Sequence, residues 1–259
     1  MKSEKKSVFT TIGWDGKNKF FAVEEHFKRL KKHANISKIE FDKKLEENII
    51  NKLKNQKLKK IKTRYGNKYG KPSGLIKIAI YEDGSFSIKE RDNEYNIKCE
   101  KIDAITVEAP INLKNNQGVK FGKHLAYKNA LNIAKQFEAN AALLIEKNIV
   151  IDGDRGSLII LDNDGVAWVS SCKYGSIQSI TVELIKEKLL KRGIPILFGK
   201  ITTNMILNSC DAIMVGTGIG VMRINSIDKR NFNFANSKLF DEVILIFDEL
   251  MNEKWIELY

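Results

Sequence analysis

The chain has only three cysteines and three histidines among its 259 residues, and no apolar run as long as a membrane span. Cys99, Cys172 and Cys210 stand apart, odd in number and without CxxC or metal-type spacing. They exclude a disulfide scaffold and read as reduced thiols of a cytoplasmic protein. His26, His33 and His124 are too few and too scattered for a metal cluster, so no metal is expected. The basic start, MKSEKKSVFTTIG, is followed by no apolar stretch, and no secretory signal is expected. Arginine and aromatic residues are scarce in the densest basic run, Lys52 to Lys62 (KLKNQKLKKIK). Stacking platforms and guanidinium forks are missing there, so nucleic acid is not the expected partner despite a net charge of +12. That charge fits a lysine-rich solvated helix face, or a surface that draws in small anionic metabolites.

What is present is the composition of a soluble globular protein, 43% hydrophobic and 29% charged, long enough for one large core or two modest ones. Val8 to Trp14 is β-branched and aromatic, Asp15-Gly16 supplies a turn, and Phe20 to Val23 continues as a strand or entry segment. Glu24 to Ala34 reads as a helix with acids first and bases later, and Phe27, Leu30 and Ala34 form its apolar stripe. A second helix is expected over Phe41 to Asn55. Alternation at Lys60 to Tyr65 and a loop at Tyr69 to Gly74 come next, then strands at Leu75–Tyr81, Ser85–Ile88, Tyr95–Cys99 and Ile102–Val107. The N-terminal part is therefore expected to be α+β with a largely antiparallel sheet. Ala109-Pro110 ends it, and the polar stretch after Asn112 marks a boundary. The expected division is a smaller domain over 1–111, a linker over 112–118 and a larger domain over 119–259.

In that larger domain a helix running to about Ala139 precedes strands at Ala141–Ile145, Ile149–Ile151, Ser157–Leu161 and Val166–Val169. A helix from about Ile177 to Arg192, strand-like stretches at Ile194–Ile201 and Ala212–Val215, and a helix from Lys238 to Asn252 complete it. The fold class is thus α/β, with an α+β N-terminal part.

Several short stretches carry candidate chemistry. Gly118-Val119-Lys120-Phe121-Gly122-Lys123-His124-Leu125-Ala126-Tyr127 ends a loop and opens a helix. A lysine at such a junction can face inward, where desolvation lowers its pKa and frees the amine to attack a carbonyl. Gly175 to Thr181 leads into a helix whose first amides lack intrahelical partners; it reads as a phosphate cradle or as an ordinary serine cap. Val215-Gly216-Thr217-Gly218 offers amides and a hydroxyl, or simply a tight hairpin. Asp152 follows a strand and is either a turn residue or a buried carboxylate facing a protonated ring nitrogen. Arg29, taken alone, is a surface arginine.

In this order these stretches resemble the class IV (fold type IV) pyridoxal-phosphate enzymes, which include branched-chain and D-amino-acid aminotransferases and aminodeoxychorismate lyase. The resemblance covers nearly the whole chain. Glu24 to Ala34 is similar to the family's "eeHleRLrrSa", which implies that Arg29 binds the cofactor phosphate. Gly122-Lys123-His124-Leu125 resembles the lyase's "KHL", which implies that Lys123 forms the Schiff base with pyridoxal 5'-phosphate. Tyr127 falls where members place a tyrosine near the cofactor's phenolic oxygen. Val150 to Gly153 matches "V-T-E-G", making Asp152 the partner of the pyridine nitrogen, although the family usually has glutamate. Ser179, Ile180 and Thr181 fall on "G-I-T-R", and Thr217 and Gly218 on "l-s-G-T-a", as further phosphate ligands. Ser179 and Val182 depart from the Gly and Arg of the former motif.

The resemblance further implies two α/β domains with the cofactor between them, a homodimer, and a small anionic amino-acid-like substrate. Phe9-Thr10-Thr11 and the His124-Leu125 pair lean toward 4-amino-4-deoxychorismate lyase, which forms 4-aminobenzoate and pyruvate for folate synthesis. Thr11 is then a candidate for proton delivery beside Lys123. The alternatives are a branched-chain or D-amino-acid transaminase and a non-catalytic member of the fold.

Overall fold

The computed structural model describes residues 5–55, 72–93, 101–110, 113, 118–122, 124–232 and 238–258. The expected segments at Lys60–Tyr65 and Tyr95–Cys99, and Lys123 itself, lie outside them. Elements run in the order β1 (Ser7–Trp14), β2 (Lys19–Phe21), α1 (Val23–Ile36), α2 (Lys43–Asn55), β3 (Gly74–Tyr81), β4 (Phe86–Asp92), β5 (Lys101–Glu108), α3 (Leu125–Gln136), β6 (Ala141–Glu146), β7 (Ile149–Gly153) and β8 (Ser157–Leu161). They continue with β9 (Ala167–Ser170), α4 (Ile180–Lys191), β10 (Ile196–Gly199), β11 (Ile201–Thr202), α5 (Thr203–Leu207), β12 (Asp211–Gly216), β13 (Gly220–Ile227), β14 (Arg230–Asn231), α6 (Lys238–Glu253) and β15 (Trp255–Glu257).

The first sheet is antiparallel throughout, in the order β15-β2-β1-β3-β4. Val8, Ile12 and Trp14 alternate onto the face where α1 lays Val23, Phe27, Leu30 and Ala34. This stripe includes three polar side chains, His26, Arg29 and His33, all buried. Burial of that kind demands partners, and it is the first sign that α1 does more than fill a core.

The second sheet has ten strands, in the order β10-β9-β8-β12-β13-β5-β6-β7-β11 with β14 beside β13, and curls until β7 and β11 approach β9. Alternation sorts its side chains. Leu143, Leu158, Ile160 and Met214 fill the inside of the curl, whereas Ile159, Ile213 and Val215 meet α4 and α6 outside. Ala142, Leu144 and Ile151 receive α3 through Tyr127, Ala130 and Ala134.

Sheet membership changes earlier than the expected boundary over 112–118. Strand β5 belongs to the second sheet, parallel to β13 and β6, so the chain passes between sheets after Asp92. It returns at β15, which pairs with β2, and the Ala22 amide donates to the Lys254 carbonyl at 2.8 Å. The helix expected from Ile177 starts at Ile180, because Ser179 is extended and caps it by accepting from the Val182 amide. The expected strand segment Phe20 to Val23 ends at Phe21, and Ala22, with φ 51, turns the chain into α1.

An open edge of β1 draws in a segment distant in sequence. Strand β2 covers only Gly13 and Trp14 of β1, which leaves the Ser7–Phe9 edge free of it. The segment before α3 fills that edge: the Phe9 amide donates to the Lys120 carbonyl at 3.0 Å and the Gly122 amide to the Ser7 carbonyl at 2.8 Å. Gly118 and Gly122 flank the segment with positive φ, and a Cβ on Gly118 would stand 2.7 Å from the Cys172 Sγ.

Candidate active site

Helix α1, the Lys120 segment, β7, the loop before α4 and the β12–β13 turn converge between the two sheets. Arg29 is only 8% exposed, not the surface residue that its neighbours suggest. Its Nη1 donates to the Gln178 carbonyl and its Nη2 to Thr10 Oγ1, each at 2.9 Å, while its buried Nε has no partner. No carboxylate pairs with it among the described residues, and burial pulls its pKa down to about 10. A buried guanidinium with a spare donor and no acid beside it has the charge and the free hydrogen to receive an anion.

Gln178 is the last residue before the α4 cap. Ser179 caps the helix by accepting from the Val182 amide at 3.3 Å. The Ile180 and Thr181 amides therefore stand in the first turn, where a helix supplies no acceptors and the dipole favours negative charge. Thr217 and Gly218 occupy the tight turn between β12 and β13, in which Gly216 pairs with Gly220. Thr217 Oγ1 lies 3.5 Å from His26 Nε2, and the Gly218 carbonyl accepts from Asn93 Nδ2 at 2.8 Å. The glycine-rich stretch is thus a hairpin that also delivers a hydroxyl to the Arg29 neighbourhood.

Asp152 is buried on β7, its carboxylate accepting from the Gly153 amide at 3.0 Å and the Ile177 amide at 3.0 Å. Burial pushes its pKa up to about 7, against those two amides and the Lys120 charge. Such a carboxylate is stabilised by a cationic partner, and the nitrogen of a protonated pyridine is one. Tyr127 is buried on α3 with its ring 3.8 Å from that of His124, and burial raises its phenol pKa well above the ordinary value.

Lys120 is the lysine that the described geometry brings to these groups. It is half-buried, its Nζ lies 5.2 Å from the centre of the Phe9 ring, and its amide donates to His33 Nδ1 at 3.2 Å. Desolvation, then the Arg29 charge, pull its amine down to about 7, with Asp152 opposing. Lys123, the lysine expected from sequence, lies outside the described residues. Thr11 is half-buried and directly opposite Lys77 of β3, on the same face as Phe9. Lys77 Nζ sits 3.8 Å from the Phe9 ring centre, and burial, then Lys128 and Lys89, lower its pKa.

Sequence reasoning missed Lys120, Thr10, His26, His33 and Lys77. The signal for Lys120 was its place between Gly118 and Gly122, which let a backbone approach β1 closely. Thr10 and Lys77 read as ordinary strand residues, because nothing local reveals what packs on a strand face.

These features gather a buried guanidinium, the first amides of α4, a buried carboxylate and an amine of depressed pKa around one place. Comparison with known proteins supplies the family. Residues 7–227 match the family model of class IV amino-transferases, and the chain belongs to that family. A branched-chain aminotransferase from Thermoproteus uzoniensis, solved with norvaline, superposes with a TM-score of 0.78 at 18% identity, covering 98% of this chain and 90% of that one. A provisionally named 4-amino-4-deoxychorismate lyase from Legionella pneumophila gives 0.76 at 17% identity, covering 95% and 91%. A hypothetical aminotransferase from Mycobacterium tuberculosis in its pyridoxal-phosphate-bound form gives 0.75 at 14% identity, covering 95% and 89%. No curated protein sequence matches the chain. Among the described residues no helix is long and apolar enough to cross a membrane.

Proposed function

We propose that the chain is a pyridoxal-phosphate-dependent lyase acting on an amino compound with two carboxylates, 4-amino-4-deoxychorismate, and that Lys120 rather than Lys123 carries the cofactor. The observation that favours this substrate is the cation set on one side of the site. Lys77 faces the Phe9 ring, with Lys128 and Lys89 within Coulombic reach of it, and Arg91 lies within reach of the Lys120 amine that would carry the cofactor. A branched aliphatic side chain would leave these charges uncompensated, whereas a dicarboxylate neutralises them.

When bound, pyridoxal phosphate supplies the electron sink for charge developing at the substrate α-carbon. Arg29, the Ile180 and Thr181 amides and the Thr217 hydroxyl would hold its phosphate. Asp152 would keep its ring nitrogen protonated, and Tyr127 would stand at its phenolic side. Lys120, with an amine near pKa 7, is neutral often enough at physiological pH to bond a carbonyl and to accept a proton from the α-carbon at Nζ. Thr11, opposite Lys77, would relay the proton taken up by Lys120 to the departing pyruvate. Asp152 in place of glutamate keeps the charge with a shorter reach, offset by the two amides that hold it.

The deciding experiment is incubation of the purified protein with pyridoxal phosphate, reduction with borohydride and mapping of the labelled peptide. The label should fall on Lys120, vanish in Lys120→Ala and persist in Lys123→Ala. Incubation with 4-amino-4-deoxychorismate should then release 4-aminobenzoate and pyruvate with no keto-acid acceptor added. A protein that stays colourless with excess cofactor overturns the enzyme reading. Label on Lys123 overturns the choice of lysine, and keto-acid-dependent amino transfer without 4-aminobenzoate favours the transaminase alternative. The expected homodimer and cytoplasmic setting belong to the same proposal.

A further inference from the structure

The hydrogen bonds behind the anion receptor have a fixed direction. Arg29 can only donate, and its Nη2 gives one proton to Thr10 Oγ1 at 2.9 Å. Thr10 is fully buried, so its own hydroxyl proton needs an acceptor. Among its described contacts one qualifies, His26 Nδ1 at 2.6 Å. Thr10 therefore donates and Nδ1 accepts. Burial, then the Arg29 and Lys120 charges, hold the imidazole neutral, so its single proton sits on Nε2. Nε2 faces Thr217 Oγ1 at 3.5 Å. With its oxygen accepting from Nε2, Thr217 has its own proton left to give. The opposite tautomer would aim two donors at Thr10 Oγ1 and strand a buried hydroxyl proton, at a cost of about 1–3 kcal/mol.

We propose that Arg29, Thr10, His26 and Thr217 form a one-way hydrogen-bond chain in which His26 is a positioning residue, holding the Thr217 hydroxyl as a donor toward a bound phosphate dianion. The inference rests on the proposed cofactor site and adds to it a role for a side chain that touches no ligand. A phosphate dianion offers only acceptors, so a hydroxyl fixed as donor favours it over a ligand that must itself donate. Arg29 thereby acts twice, by its own charge and by setting the polarity of Thr217.

The test begins on the cofactor-free protein, with nitrogen-15 NMR of ring-labelled histidine. His26 should be the Nε2–H tautomer, with its signal assigned by loss in His26→Asn. An Nδ1–H tautomer overturns the chain whatever the protein binds. Affinities for pyridoxal phosphate and for pyridoxal, which lacks the phosphate, are then compared in His26→Asn, Thr217→Val and the double variant. Each single variant should lose about tenfold for pyridoxal phosphate and little for pyridoxal, and the double variant should lose no more than the worse single. Additive losses, or equal losses for both aldehydes, overturn the positioning role. If the wild type binds neither aldehyde, the proposed function falls, and the phosphate as the final acceptor falls with it. The tautomer result still decides the direction of the chain.

Discussion

The Lys120 amide donates to Nδ1 of His33, so the segment that enters α3 hangs from the inner face of α1 by a neutral imidazole. His33→Ala should leave that amide without its acceptor, lower stability by about 1–3 kcal/mol and weaken cofactor capture at Lys120. Denaturant titration and borohydride labelling measure the two effects separately.

The same histidine imposes a pH dependence. Its pKa is depressed to about 3 in the fold, chiefly by burial, from an ordinary 6.5. The unfolded chain therefore takes up a proton first, and the stability present above 6.5 is lost as pH falls toward about 3. His33→Gln should flatten the stability profile in that window. An unchanged slope between wild type and variant would contradict the neutral, accepting imidazole.

Asp152 acts with the opposite sign. Its folded pKa, about 7, lies above the ordinary 3.8, so its contribution is fully present below 3.8 and lost as pH rises through about 7. Asp152→Asn should flatten the stability profile of the cofactor-free protein between pH 3.8 and about 7, because the group whose ionisation is costly is gone. The variant should also hold pyridoxal phosphate less well. Melting curves with and without cofactor across pH would show both.

Arg29 has no acid partner among the described residues, so its burial is a cost that an anion offsets. Arg29→Gln should reduce affinity for pyridoxal phosphate by roughly 10- to 100-fold, the size of a charge-assisted hydrogen bond. Stability without cofactor should change far less. Equilibrium titration by the cofactor's absorbance gives the first quantity, and urea unfolding the second.

Substrate choice turns on Lys77. Lys77→Met keeps the packed stem over Phe9 and removes the charge. It should raise KM for a dicarboxylate substrate about tenfold or more while changing kcat little. An equal effect on a monocarboxylate amino acid would argue against charge recognition.

Much of the secondary structure was legible because it is written in local periods. The stripe Phe27, Leu30, Ala34 announced α1, and short β-branched, aromatic or apolar runs announced β1, β3, β6 and β8. Partner choice was not legible. Nothing in Ile102 to Val107 says that β5 leaves the preceding strands for β13 and β6, since a period of two identifies a strand and not its neighbours. The depth of Arg29 was hidden for a related reason. A run of bases on a helix looks solvated until the sheet beneath one of them supplies Thr10. Lys120 and Lys123 share one stretch, and nothing in that stretch announces that Lys120 and Gly122 pair with the open edge of β1.

Strand β15 also sets an order of assembly. It completes the first sheet and braces Ala22, from which α1 departs, yet it comprises residues 255–257. During synthesis the β2 edge must wait, unpaired, until those residues have emerged. Long-range closure of this kind slows folding and leaves a strand edge open to mispairing meanwhile. The backbone brace at Ala22, from which the helix carrying His26, Arg29 and His33 departs, therefore forms only once β15 docks.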